Sequence, residues 1–150
     1  MKHIFEHFIS GEQAYTQIVA PVCEKYGLTY AEITVLMFLA NHPTLDTASD
    51  IVKCRHIAKS QVSVSVRSLN ERGLLTKEYR GINHKSVHLS ITDQASNMIK
   101  DGHEAQESFG KMLFHGVSES DMNVMRAVYQ KMDQNIQKFL RGEATQDAKS

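Results

Sequence analysis

Several features that would settle a function early are scarce in this chain of 150 residues. There are two cysteines, Cys23 and Cys54, far apart and outside any close Cys/His set. No zinc motif is framed by them, and both thiols are expected to stay reduced. With two prolines and no long series of alternating strands, the chain is expected to be mostly helical. No apolar run approaches the length of a membrane span. The N-terminal stretch MKHIFEHFISGEQAY sets charges and histidines inside its apolar pattern, unlike a signal peptide. A cytoplasmic protein without a membrane partner is therefore expected. A glycine-rich phosphate loop, a nucleophile elbow and a paired-carboxylate motif are all missing, so no enzyme and no cofactor are expected. Net charge is missing too, because 17 basic side chains balance 17 acidic ones.

What is present is ordinary in bulk and uneven in detail. With 41% hydrophobic and 23% charged residues, the composition suits one soluble domain, expected over residues 1–142. The polar stretch after Leu140 reads as frayed, with a flexible tail at 143–150. The charge is uneven. Between Lys53 and His88 stand Lys53, Arg55, Lys59, Arg67, Arg72, Lys77, Arg80 and Lys85, opposed only by Glu71 and Glu78. A segment of that sign attracts an anionic polymer to one face of a neutral protein.

The same segment has the most informative pattern. Thr47-x-x-Asp50 resembles a capping box opening a short helix, with Ala48, Ile51 and Val52 inward and Cys54 as a small core residue. A turn through Ile57 leads to a second helix opened by Lys59-Ser60 and closed by Arg72-Gly73, where arginine suits the helix dipole and glycine the left-handed cap. Val62, Val66 and Leu69 form its buried stripe. Gln61, Ser65 and Ser68 are expected along one exposed line, with Ser60, Ser63, Val64 and Arg67 beside it. Short or bidentate polar groups of this kind suit the floor of a DNA major groove, where Gln61, Ser63 and Arg67 are expected at base edges. Two strands follow, Leu74–Tyr79 and Ser86–Ile91, joined by a loop with Arg80, His84 and Lys85 at its tip. Lys59, Ser60, Arg80 and Lys85 are expected on phosphates or in the minor groove.

Helices flank this core. The first spans about His3 to Lys25, with Ile4, Phe8, Tyr15, Ile18, Val19 and Val22 near one face. The next opens at Thr29 or Tyr30 and ends before Pro43. After the strands, Thr92 is expected to cap a long helix that ends at His115-Gly116. Ser118-x-x-Asp121 opens the last, where Met122, Met125, Tyr129, Met132, Ile136 and Phe139 recur in steps of 3 and 4. Such a seam packs on a partner along its length. Phe8, Tyr15, Met125, Tyr129, Met132, Ile136 and Phe139 are thus expected to hold a homodimer.

The segments GLTYAEITVLMFLANHP, TASDIVKCRHIAKSQVSVSVRSLNERGLL and VHLSITDQA, in this element order, resemble the MarR (multiple antibiotic resistance regulator) family of bacterial transcription factors. The likeness covers nearly the whole chain. It implies a mainly α fold with a small β-hairpin wing, a winged helix-turn-helix core at about 29–92, and dimerisation helices at about 3–25 and 93–141. It further implies a dimer on a pseudo-palindromic operator in double-stranded DNA, usually a repressor, released by a small aromatic or anionic ligand. In two places the chain departs from the family pattern. Asn83-His84-Lys85 stands where an Asp-x-Arg is common, and Val64 stands where arginine is common. Lysine keeps the charge without arginine's planar fork, and a valine suits a thymine methyl.

Other chemistry fits the sequence less well. His3 and His7, with His103, Glu104 and Glu107, could supply zinc as in some relatives, but eight histidines make chance pairs expected. Cys23 does not match the family's reactive cysteine, which lies nearer Phe5, so a structural thiol is expected. A protein-binding winged helix is the remaining alternative. It would favour aromatic anchors over a Ser/Gln/Arg face.

Overall fold

The structure, a computed structural model, describes residues 2–55, 57–80 and 86–142, with side chains described from Ser10 onward except Ser86. The helices are α1 (Lys2–Tyr26), α2 (Tyr30–Asn41), α3 (Ala48–Arg55), α4 (Lys59–Glu71), α5 (Ser96–Leu113) and α6 (Glu119–Leu140). Strands β1 (Leu75–Arg80) and β2 (Ser86–Ile91) form the antiparallel wing, and a single 3₁₀ turn covers Asp93–Ala95. The mainly α winged-helix reading is thus met. The strand bounds differ from expectation by one residue at β1, an ordinary shift at an element end. The chain divides into two compact units, Met1–Met112 and Leu113–Ser150, inside what the sequence reads as one domain.

In the first unit the central element is α2. Every residue from Ala31 to Leu39 is buried, because α1, α4 and β2 all pack on it. Apolar side chains on all its sides make that possible. Its N-terminus is closed by a full capping box. The Glu32 amide donates to Thr29 Oγ1 at 3.1 Å, and the Thr29 amide donates to Glu32 Oε2 at 2.8 Å. Val19 of α1, Ile51 of α3, and Val62 and Leu69 of α4 complete the core with Leu75 and Leu89 of the wing. α5 approaches α2 closely at Gly102, where a Cβ would lie 2.3 Å from Met37 Sδ. Any larger residue there would displace the Met37 side chain.

Two local expectations fail for stated reasons. Thr92 opens the 3₁₀ turn, and its hydroxyl makes no cap bond there. It donates instead to Gly73 O at 2.6 Å, fastening the foot of the wing to the end of α4. Cys54 is exposed, because α3 turns its inner face at Ile51 and the residues from Lys53 to Arg55 lie outside it.

The second unit is α6 with the turn before it. Gly116 takes φ 78°, a left-handed conformation that glycine adopts without strain. Ser118 then caps α6 with Asp121 as expected: the Asp121 amide donates to Ser118 Oγ at 3.1 Å. No residue of α6 is buried.

Candidate nucleic-acid interface

Two helices and the wing build the site. α3 is fixed at its start by Thr47, whose Oγ1 accepts from the Asp50 amide at 3.2 Å while the Thr47 amide donates to Asp50 Oδ2 at 3.1 Å. Ile57, half-buried, plugs the turn into α4. α4 opens on Ala58 without a side-chain cap and without an acidic residue in its first turn. The partial positive charge of a helix N-terminus is therefore left uncompensated beside Lys59 and Ser60.

Burial sorts the residues of α4. Val62, Ser65, Val66 and Leu69 are buried. Lys59, Ser60, Gln61, Ser63, Val64 and Arg67 are exposed, and Ser68 is half-buried. The exposed line expected through Ser65 is therefore corrected. Ser65 lies between Val62 and Leu69 on the helix surface, and its small side chain lets α4 approach the body of the protein. Val64, at 56% exposure, is an apolar residue turned outward in the middle of the polar face. No acidic residue occurs from Lys59 to Asn70.

The basic residues divide into two kinds. Among the described residues no ion pair engages Lys59 or Arg67. Arg80, by contrast, donates to Glu78 Oε2 through Nε at 2.9 Å and Nη2 at 2.5 Å, and its Nη1 lies 3.6 Å from Asp46 Oδ2. The Glu78 carboxylate holds the Arg80 guanidinium above its usual pKa, with Asp46 adding to it. Asp46 also meets His88 Nδ1 at 2.7 Å, while its carbonyl accepts from the Leu89 amide at 2.7 Å. This grouping along the wing is not legible in sequence, because Asp46 and His88 are 42 residues apart. His84 and Lys85, at the expected wing tip, lie outside the described residues. An open cleft of about 430 Å³, also unforeseen, lies beside the exposed face, lined by Thr29, Tyr30, Ser60, Gln61, Val64 and Ser65 among others.

The remaining candidates fall elsewhere. Tyr15 packs within its own chain, edge-on to Tyr30 and Phe109 at 6.5 and 5.4 Å, and burial pushes its hydroxyl pKa up. The side chains of Phe8, His3 and His7 lie outside the described part. Met125 is half-buried, while Tyr129, Met132, Ile136 and Phe139 are exposed, Phe139 at 75%. His103 Nε2 sits 2.9 Å from Asn41 Oδ1, and Glu107 pairs with Lys111 at 2.6 Å. Among the described residues no three metal-binding side chains gather. Cys23 is half-buried, and that burial raises its thiol pKa, with Glu32 adding to it. No helix among the described residues is long and apolar enough to cross a membrane.

Comparison with known proteins agrees with this architecture. Residues 26–84 match the model of the MarR family. No curated protein sequence matches the chain. Among solved structures, the transcriptional regulator PA3341 superposes with a TM-score of 0.76 at 18% identity, covering 90% of this chain and 98% of its own. A MarR transcriptional regulator from Methanosarcina mazei Go1 gives 0.74 at 15% identity, with coverage of 93% and 92%. Staphylococcus aureus MarR, in complex with salicylate and kanamycin, gives 0.67 at 22% identity, with coverage of 95% and 93%. Likeness at such identities establishes the fold.

Proposed function

From a winged helix of the MarR family at residues 26–84, in the fold of that family's transcriptional regulators, we propose that this chain is a sequence-specific DNA-binding regulator. It acts as a homodimer on a pseudo-palindromic operator, in the cytoplasm where the chromosome lies, and represses until a small ligand releases it.

One observation carries the reading. α4 buries Val62, Val66 and Leu69 against the body and leaves Gln61, Ser63, Val64 and Arg67 exposed with no acid among them. Glutamine and arginine can make bidentate bonds to adenine and guanine edges, and Val64 fits a thymine methyl. Lys59, Ser60 and the uncapped start of α4 suit a phosphate. Arg80 serves the wing once a phosphate outcompetes Glu78, and Lys85 extends the same edge. Two copies with recognition helices roughly 34 Å apart would read successive turns of one groove.

Dimerisation is assigned to the exposed seam of α6, with α1 contributing. A single protomer would waste that seam, and the palindrome needs its symmetry. The ligand is expected to be an aromatic anion of the kind bound by the Staphylococcus aureus protein. Coupling of about 1–3 kcal/mol between ligand and DNA is usual for such a switch.

Fluorescence anisotropy on a duplex selected from random sequence tests the reading. Parent protein should prefer that duplex over a scrambled one, with affinity falling steeply as salt rises. Arg67→Ala should cost roughly 1–3 kcal/mol on the selected duplex and relax the preference at one base pair. Equal binding of selected and scrambled DNA by the parent would point to a protein-binding winged helix instead.

A further inference from the structure

α4 ends at Glu71, and the next side chain does not follow the helix. Arg72 crosses back to the junction between α1 and α2. Its Nη1 donates to Gly27 O at 3.0 Å and its Nη2 to Tyr26 O at 2.8 Å. Nη1 also lies 3.9 Å from Oε2 of Glu32, the buried carboxylate of the α2 capping box. Tyr26 and Gly27 are where α1 stops, Gly27 at φ 60°, and carbonyls at a helix end lack intrahelical partners. The link continues through Tyr26. Its hydroxyl donates to Asp101 Oδ2 of α5 at 2.8 Å, and Lys25 Nζ donates to the same oxygen at 2.6 Å. These bonds hold the Asp101 carboxyl below its usual pKa, Lys25 contributing most.

We propose that Arg72 is a positioning residue for DNA reading: it sets the orientation of α4 relative to α1 and α5. The inference rests on the DNA-binding function proposed above. The apolar contacts of Val62, Val66 and Leu69 fix how deeply α4 sits, but burial is non-directional. Hydrogen bonds are directional, and a planar guanidinium spanning two carbonyls at one end of a helix resists its rotation about the apolar contact. In a dimer built on the flanking helices, that orientation sets the distance between the two reading faces. Arg72 therefore acts on half-site spacing without touching DNA.

Three full-length variants test this: Arg72→Gln, Arg72→Lys and Tyr26→Phe. Each is measured against duplexes with half-sites at the selected spacing, one base pair closer and one base pair farther. Arg72→Gln should lose about tenfold on the selected spacing and bind the other two within roughly threefold of it, the size expected for losing a charged hydrogen bond. Its salt slope should match the parent's. Arg72→Lys should fail to restore the preference, because an ammonium lacks the two-pronged fork. Tyr26→Phe keeps both carbonyls, loses only the link to Asp101, and should relax spacing partially. A loss equal at all spacings would make Arg72 merely structural. A salt slope reduced by about one would make it a phosphate contact. Residual dipolar couplings supply a readout without DNA: the α4 amide vectors should reorient relative to α1 in Arg72→Gln. Unchanged couplings would overturn the proposal even if the parent bound no DNA, while a DNA-silent parent with reoriented couplings would overturn only the proposed function.

Discussion

α4 and α6 carry nearly the same apolar spacing and meet opposite fates. In α4 the stripe of Val62, Val66 and Leu69 is buried by the helices and strand around it. In α6 the stripe through Tyr129, Met132, Ile136 and Phe139 is exposed, and no residue of the helix is buried. Periodicity therefore marks an apolar face without telling whether its own chain covers it. The opposite faces differ as well. α4 presents serine, glutamine and arginine, whereas α6 presents a mixed surface with Asp133, Lys131 and Lys138. On the proposed function, the polar face of α4 takes DNA and the apolar face of α6 takes a second copy.

Charging the α6 face should have the largest effect. Met132→Glu with Ile136→Glu should give monomers by light scattering, since pairing would bury unpaired carboxylates. Loss of bivalent contact should then weaken operator binding by roughly 10²–10⁴-fold. The same insult within α4 acts on folding. Leu69→Ala should cost about 2–5 kcal/mol by denaturant unfolding, because the site is fully enclosed. Val64→Ala, on the opposite face, should stay within about 0.5 kcal/mol in that assay while changing DNA preference.

The short-range signals are legible. Thr47 with Asp50 and Ser118 with Asp121 each pair at a spacing of three and each makes its bonds. The wing is legible from alternation, and the face of α4 is legible apart from Ser65. Contacts made at long sequence separation are not. Arg72 reads as a helix-dipole residue in a basic run, yet its partners lie 45 and 46 residues upstream. Thr92 reads as a cap, yet it bonds Gly73. Arg80 reads as a cation for DNA, yet besides its near neighbour Glu78 it meets the distant Asp46. A polar side chain has many possible partners, and only the fold chooses among them.

Smaller effects sharpen the picture. Glu78→Gln should release Arg80 and tighten DNA binding by a few-fold, an effect fading at high salt as exposed pairs do. A thiol reagent should label exposed Cys54 well before Cys23, which is shielded and whose thiolate is disfavoured by burial. Mass spectrometry of the native protein would read the order, and faster labelling of Cys23 would show that α1 opens.

The central claim is that the α4 face takes DNA while the α6 face takes a second copy. The most direct measurement is the mass, by light scattering, of the protein alone and on a selected palindromic duplex. The account predicts two chains in both states. One chain alone, or one chain per palindrome, would contradict it.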